Sequence, residues 1–192
     1  MKPRACHRLT AGMFLLLAGP LGWASTGTPN RPVDAIDLPR YTGLWYEIAH
    51  LPMYFQRHCV GDTTALYTAQ ADGSIAVRNR CRDGDGHFRQ ADGQARQSEA
   101  GSARLKVRFA PGWLSWLPLV WADYWVIALD PQYRWAMVGG PDADTLWILS
   151  RSHQLPPQTY HSLVEQARAM GYPVERLQQT VHTAGPDPTP RP

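Results

Sequence analysis

The sequence predicts an all-β domain: an eight-stranded antiparallel up-and-down barrel with one C-terminal α-helix packed outside. Eight short segments rich in aliphatic and aromatic residues follow one another, with turn residues between them. Several alternate apolar and polar residues, as strands with one buried face do. Only after Pro156 does the apolar spacing change to that of a helix. A meander of this kind closes on itself, which removes exposed edges and leaves an interior able to hold one small ligand.

The first 24 residues have the pattern of a secretory signal. Lys2, Arg4 and Arg8 precede an apolar run at residues 9–21, which is too short to span a membrane and is followed by small residues suited to cleavage. Ser25 stands where a lipid-anchored bacterial protein would have its cysteine. We therefore expect an exported protein of the periplasm, either free there or associated with the outer membrane, without a lipid anchor at that place.

The charge balance argues against nucleic acid as a partner. Removing the three basic residues of the predicted signal leaves 16 of the 19 Lys and Arg residues, which equals the 16 Asp and Glu residues. Nucleic-acid binding requires clustered positive charge. Nothing in the sequence decides between a monomer and a homodimer.

The predicted first strand, residues 43–49, is rich in Trp, Tyr and Ile and begins with a glycine. By the period-two rule one face holds Trp45, Glu47 and Ala49, and the other holds Leu44, Tyr46 and Ile48. Neither face is plainly polar, so the strand is expected to be covered on both sides.

Seven further strands are predicted from alternation and from turn dipeptides such as Asp72-Gly73. The sharpest alternation places Leu105, Val107 and Phe109 on one face and a basic row on the other, which we interpret as a solvated face. The seven strands are residues 61–70, 74–82, 88–97, 103–109, 124–130, 135–139 and 145–151.

The remaining segments complete the domain organisation. An amphipathic helix is expected from Pro156 to Gly171, where the glycine provides the stop. The barrel domain is assigned to residues 36–181. Residues 25–35 and 182–192 are rich in Pro and small polar residues, which predicts mobile tails.

Two cysteines remain after the predicted signal, Cys59 and Cys81. In an oxidising compartment a disulfide is expected, with free thiols as the alternative. Counting strands alternately places both cysteines near one end of the barrel, which supports their pairing. The acidic-glycine turn at residues 83–86 has too few carboxylates for a calcium site, and no metal is expected.

A loop at residues 110–122 carries an unusual number of large apolar side chains at the same end of the barrel. Such exposed side chains mark ligand, partner or membrane sites. Two interpretations stay open: a loop folded back over the barrel opening, and a loop that dips into a lipid surface or guides a chain inwards. The residues concerned are Trp113, Leu114, Trp116, Leu117 and Trp121.

Three motifs in order resemble those of the lipocalin family, most closely its bacterial members and apolipoprotein D. Gly43-Leu44-Trp45-Tyr46-Glu47 is similar to the family's Gly-x-Trp motif at the first strand. Asp130 is the one residue kept from its Thr-Asp-Tyr motif, and Arg151 matches its lone arginine. With the closing helix, the resemblance covers about residues 36–180. It implies that Arg151 lies over Trp45 and closes one end of the barrel.

The predicted interior is mostly apolar, with a few polar groups, as an acyl chain requires. Strand alternation and phase matching to Trp45 and Arg151 supply most of this set, and the resemblance suggests Trp125 and Ile127. Tyr67, Asn79 and His50 are candidates for a polar head group. The full set of expected ligand-binding residues is Glu47, Ala49, Tyr67, Val77, Asn79, Leu105, Val107, Phe109, Trp125, Ile127 and Trp147.

The resemblance implies binding and transport or storage of a fatty acid or lysophospholipid in the cell envelope, with possible peripheral contact with membrane lipid and no cofactor. One alternative is a lipocalin-type enzyme, which would require a free inward thiol with a basic neighbour. No Ser-His-Asp set is evident, so no catalytic residue is assigned. A second alternative is haem or tetrapyrrole binding, which an absorbance band would reveal.

Overall fold

The computed structural model describes residues 28–183, which form one closed antiparallel barrel with a helix against its outer surface. The predicted signal, residues 1–24, and most of the predicted C-terminal tail lie outside the described residues. The elements in chain order are α1 (Leu38–Tyr41), β1 (Gly43–His50), β2 (Cys59–Ala69), β3 (Ile75–Asp83), β4 (Phe88–Gln97), β5 (Arg104–Arg108), β6 (Ala122–Leu129), β7 (Trp135–Gly139), β8 (Leu146–Ser150), α2 (Pro157–Ala169) and β9 (Gln178–Gln179).

Each of the first seven strands pairs antiparallel with the next, and β8 closes the ring by pairing with β1. The predicted eight-stranded barrel is therefore confirmed. Strand β9 is only two residues long, and it pairs with the C-terminal end of β1 at Ala49 and His50. No helix within residues 28–183 is both long and apolar enough to cross a membrane.

The buried apolar side chains form two separate clusters. The inner cluster lies inside the barrel and includes Trp45, Tyr67, Val77, Leu105 and Val126. The outer cluster joins the outward faces of β7 and β8 to α2 and is formed by Ala49, Leu51, Ile127, Ala128, Met137, Leu146, Ile148, Leu163, Ala167, Tyr172 and Val174. Helix α2 therefore packs outside the barrel, as predicted.

One end of the barrel, here called the base, is closed by Trp45 and Arg151. The Arg151 guanidinium carbon lies 3.7 Å from the centroid of the fully buried Trp45 ring. The Trp45 indole donates to the Tyr41 carbonyl at 2.8 Å. Gly43 has φ +98°, and a Cβ atom there would lie 3.3 Å from Arg151 Nη1, so the glycine allows both the backbone turn and the close approach.

Arg151 also ties together segments distant in sequence. Its guanidinium donates hydrogen bonds to the backbone carbonyl groups of Tyr133, Leu44, Arg40, Tyr41 and Thr42. A planar guanidinium suits this arrangement because its five N–H groups point outward in one plane. The base is thus held by one side chain of the C-terminal half that reaches both residues 40–44 and the turn at Tyr133.

The first and last described residues make contacts with the barrel that were not predicted. Residues 28–35, expected to belong to a mobile segment, include Asn30, whose amide donates to the Gly140 carbonyl at 2.9 Å, and Val33, whose N–H donates to Val126. His182 and Thr183, assigned to the C-terminal tail, contact β1 and β2. Residues on both sides of the predicted domain limits thus form hydrogen bonds with the barrel domain.

We expect Arg151→Ala to lower the free energy of unfolding by about 3 kcal/mol, because it leaves half-buried carbonyl groups unpaired and removes the contact with Trp45. Urea unfolding followed by tryptophan fluorescence measures the change. The matched control is Arg168→Ala, which removes only an exposed ion pair with Glu165 on α2 and should have little effect. Equal stability of the two variants would contradict the structural role of Arg151.

The disulfide between Cys59 and Cys81 is present, with a Cα–Cα distance of 5.6 Å and a separation of 22 residues. Its loss is expected to cost about 3 kcal/mol by the loop-entropy relation. The measurement is urea unfolding of the oxidised protein against the Cys59→Ser/Cys81→Ser variant. Dithiothreitol should destabilise the parent and leave the variant unchanged, and a parent insensitive to the reductant would contradict the prediction.

Candidate functional site: the barrel interior and its mouth

The inner wall is formed by alternate residues of the eight strands. Tyr67, Val77 and Leu105 belong to the inner cluster, and Val107 and Trp147 pack against it. Asn79 shares the face of Val77 on β3, as the period-two rule requires. These residues were placed inside by sequence reasoning, and the structure places them there.

A β-bulge moves Ala49 out of the interior. Glu47 pairs with Leu149, but Ala49 pairs with Ile148, so Ile48 is an extra residue in β1. After the extra residue the faces exchange, and Ala49 joins the outer cluster against α2. The expectation that Ala49 faces inward is therefore wrong.

Strand β6 has the opposite phase to the one predicted. Tyr124 and Val126 belong to the inner cluster, whereas Trp125 and Ile127 pack with the outer cluster. The Arg104 guanidinium lies 5.3 Å from the centroid of the Trp125 ring. A second bulge between Val126 and Ala128 further shifts the register against β7. The inward placement of Trp125 and Ile127 is therefore wrong.

Phe109 lies just beyond the end of β5 and keeps 44% of its surface exposed. Its ring covers the side of Gly93 where a Cβ atom would project, at 2.7 Å from that position. Gly93 has the phase of the buried Ala95 on β4, so this is the inner side. Phe109 thus lies at the rim of the end opposite the base, here called the mouth.

Three tyrosine hydroxyl groups meet inside the barrel near the base. The Tyr124 oxygen lies 2.8 Å from that of Tyr41 and 3.0 Å from that of Tyr67. Sequence reasoning found only Tyr67 of this tyrosine trio. Tyr41 precedes the first strand, and Tyr124 was excluded by the wrong phase for β6. The signal that could have found Tyr124 is the clean alternation of β5, whose inward Leu105 is its cross-strand partner.

A buried carboxylate lies higher on the inner wall. Glu47, only 4% exposed, accepts hydrogen bonds from the Gln56 amide at 2.7 Å and from the Thr180 hydroxyl at 2.6 Å. The Gln56 carbonyl oxygen in turn accepts from the Trp147 indole at 3.1 Å. Gln56 was not singled out from the sequence, and its side chain links a mouth turn to the inner wall. His50 Nε2 lies 3.8 Å from Glu47 Oε1.

The inner wall also contains an unpaired polar atom. The Oδ1 atom of Asn79 is buried and has no hydrogen-bond partner within the described chain. A buried acceptor without a partner carries its full desolvation cost. Asn79 is therefore a point in the barrel at which a donor on a bound molecule would be stabilised.

The apolar mouth loop, residues 110–121, does not cover the opening with its tryptophans. Trp121 packs against the outer wall, where the guanidinium carbons of Arg96 and Arg108 lie 4.1 and 5.0 Å from its ring centroid. Leu114 and Leu117 are half-buried. Trp113 and Trp116 remain about three-quarters exposed, at 75% and 74%.

The basic row of β5 is only partly a solvated face. Arg108 is buried, and its guanidinium donates to the carbonyl groups of Ala110 and Pro111 and to the Gln94 side chain. Arg104 is exposed, and Lys106 pairs with Asp123 at 2.7 Å. Arg108 therefore anchors the mouth loop to the barrel wall.

The acidic turn at the mouth brings Asp83, Asp85 and His87 together, with one potential ligand atom each. The Asp83 carboxylate is already engaged, because Oδ1 accepts from the N–H groups of Asp85 and His87 and Oδ2 accepts from Arg89. These contacts explain the cluster as a structural turn.

Asp130, the residue expected from the second lipocalin motif, lies at the base. It accepts a bidentate contact from the Arg134 guanidinium and hydrogen bonds from the N–H groups of Gln132 and Arg134. These contacts, led by that with the Arg134 side chain, lower the pKa of Asp130 to about 2. Asp130 is thus a charged turn residue and does not face the interior.

Comparison with known proteins identifies the family. The model of a lipocalin-like domain matches residues 36–182. The chain is 39% identical to temperature-induced lipocalin-1 of Arabidopsis thaliana over 156 residues, which is 80% of this chain and 83% of the relative. It is 36% identical over 169 residues to the outer membrane lipoprotein Blc of Escherichia coli K12, with 85% and 88% covered. Identity to mouse apolipoprotein D is 32% over 169 residues, with 83% and 84% covered.

Solved structures agree on the fold. Insecticyanin from the tobacco hornworm Manduca sexta superposes with a TM-score of 0.63 at 20% identity, over 82% of this chain and 87% of that one. Apocrustacyanin C1 gives a TM-score of 0.60 at 14% identity, over 77% and 81%. These matches extend over nearly the whole described chain. They agree with the closed barrel, the outer helix and the Arg151 guanidinium over Trp45. The chain belongs to the lipocalin family, whose fold binds hydrophobic ligands.

Proposed function

We propose that this protein binds and transports or stores a single-chain lipid, a fatty acid or a lysophospholipid, in the bacterial cell envelope. The observation that carries the proposal is an inner wall of mostly apolar side chains above a closed base. Each buried methylene contributes about 0.8 kcal/mol, so a chain of about a dozen carbons has ample gross driving force against the cost of association.

The proposed contact residues are those of the predicted set that face inward. Ala49, Trp125 and Ile127 face outward and are left out of the proposed set. The structure adds Tyr41, Gln56, Tyr124 and Val126 to it. The resulting wall offers apolar contacts along its length, with polar groups near the base and nearer the mouth. The retained residues are Glu47, Tyr67, Val77, Asn79, Leu105, Val107, Phe109 and Trp147.

A binding role is favoured over an enzymatic one. The enzyme alternative needs a free inward thiol, and the disulfide consumes both Cys59 and Cys81. None of the relatives reported above bears the name of an enzyme.

Three features support a location in the envelope. The first 24 residues have the pattern of an export signal, and relatives in Escherichia coli and Vibrio cholerae are named outer membrane lipoproteins. A disulfide also suits an oxidising compartment.

We further propose that the mouth loop makes peripheral contact with membrane lipid. Trp113, Trp116 and the 97% exposed Leu119 present a large apolar surface, and Tyr54 and Phe55 on another mouth turn are also exposed. Indole side chains favour the membrane interface. Because Trp121 is fixed by Arg96 and Arg108, the exposed part of the loop projects from a firm anchor.

The ligand proposal is tested with Val107→Trp, which adds bulk on the inner wall, against Lys106→Trp, the neighbouring residue that faces outward on β5. Dodecanoate and the lysophosphatidylcholine of the same acyl chain serve as probes in isothermal titration calorimetry. We expect Val107→Trp to weaken binding of the better ligand by at least about tenfold, since it occupies space needed by the chain. Lys106→Trp should bind as the parent does.

Failure of the parent protein to bind either lipid, after extraction of copurified lipid with organic solvent, would contradict the proposal. Equal affinities of the two tryptophan variants would contradict the interior as the binding site. Circular dichroism melting of both variants establishes that they are folded.

The membrane proposal predicts that Trp113→Ser/Trp116→Ser lowers binding to vesicles of phosphatidylethanolamine and phosphatidylglycerol by at least about tenfold, because two indoles no longer enter the interface. Vesicle cosedimentation measures the effect. Trp113→Phe/Trp116→Phe retains aromatic surface and should retain most of the binding. Vesicle binding unchanged in the serine variant would refute the contact.

A further inference from the structure

The tyrosine trio near the base contains more hydrogen-bond donors than its own contacts use. Each phenol carries one O–H donor, so Tyr41, Tyr67 and Tyr124 together have three. Only two oxygen–oxygen contacts join them, at 2.8 and 3.0 Å, and each contact uses one hydrogen. Within residues 28–183 the three hydroxyl groups make no other hydrogen bond. One O–H therefore remains without an acceptor, whichever way the hydroxyl groups rotate.

The trio remains a donor at physiological pH. Burial raises the pKa of Tyr67 to about 12 and raises the pKa of Tyr41 and Tyr124 well above the ordinary value of a phenol. All three rings are buried. The unused hydrogen is thus held permanently in an apolar surrounding, where an unpaired donor is costly.

The nearest cation lacks a carboxylate partner. Every hydrogen bond of Arg151 goes to a backbone carbonyl, and no described carboxylate forms an ion pair with it. The Tyr41 ring lies 5.2 Å from the Trp45 ring on which Arg151 rests, so the cation and the trio are neighbours at the base. The charge at the base therefore favours an anion.

The inner wall also carries one buried carboxylate, that of Glu47, which lies on the mouth side of the tyrosine trio and interacts electrostatically with Tyr67. Glu47 lies four residues further toward the mouth on β1 than Gly43, which is the cross-strand partner of Tyr67. Its carboxylate is buried and engaged by Gln56 and Thr180. Glu47 repels an anionic head group and Arg151 attracts one, so the Arg151 side of the wall is favoured for an anion.

We propose that the tyrosine trio is a carboxylate site, at which a fatty acid is held with its head at the closed base and its chain toward the mouth. The inference rests on the proposed function and narrows it. A carboxylate accepts the unused O–H in a charge-assisted hydrogen bond. A lysophospholipid head group is much larger than a carboxylate and would bury a phosphodiester against Val77, Leu105 and Val126, which offer no polar partner.

The test compares the parent with Tyr41→Phe/Tyr67→Phe/Tyr124→Phe, because single substitutions at Tyr41 or Tyr67 still leave one unused donor. Displacement of N-phenyl-1-naphthylamine, a neutral apolar fluorophore, reports the affinity of dodecanoate. The affinity for dodecanoate is expected to fall by at least about tenfold and that for the fluorophore to change by less than about twofold. The control is Tyr172→Phe, which removes a buried phenol of the outer cluster that bonds to Asn30 and Gly140.

Orientation gives a second, independent readout. Dodecanoate labelled with ¹³C at C2, or at the terminal methyl, is bound to the parent protein, and isotope-filtered NOEs to tyrosine ring protons are recorded. NOEs from C2 to Tyr41 or Tyr124 are expected. NOEs from the terminal methyl instead, or an unchanged dodecanoate affinity in the triple variant, would overturn the carboxylate site. A parent that binds lysophosphatidylcholine but not dodecanoate would overturn this inference alone. A parent that binds neither lipid would overturn the proposed function together with it.

Discussion

The contact between Arg151 and Trp45 is the constraint on which the rest of this barrel depends. A barrel of eight strands has two ends, and its apolar interior can hold a hydrophobic ligand only if one end is closed to water. Trp45 fills the base with a side chain that is fully buried, and Arg151 fixes it while donating to carbonyl groups of α1 and of the start of β1. Because one guanidinium does both, closure of the base and positioning of the first strand are a single interaction.

The alternation of side chains along a strand was enough to predict the fold and the inward faces of the regular strands. It failed to predict the inward face where a β-bulge adds a residue to a strand. The alternation of β3 and β5 correctly placed Val77, Leu105 and Val107. Alternation carries no information about an extra residue, so the bulge at Ile48 reversed Ala49 without any change of residue type. For β6 the phase was taken from resemblance, and Trp125 and Ile127, as apolar as their neighbours Tyr124 and Val126, gave no contrast that could correct it.

The polar part of the site was harder to predict than its apolar wall. A hydrophobic lining follows from composition and alternation, because many residues contribute and single errors average out. The tyrosine trio depends on three side chains from α1, β2 and β6 that meet at one point. Gln56 lies on an irregular turn and reaches Glu47 only because that turn folds inward. Such convergence is a property of three-dimensional geometry and leaves no periodic signal in the sequence.

The C-terminal segment completes the wall between β1 and β2 near the mouth. Thr180 donates its N–H to Ile48, Val181 accepts from the Asp62 N–H, and Thr183 donates to the Asp62 carboxylate. The strands on either side of this seam lie more than a hundred residues earlier in the chain. During synthesis the seam must therefore stay unsealed until residue 183 has left the ribosome, so this barrel can be finished only after translation of its whole domain.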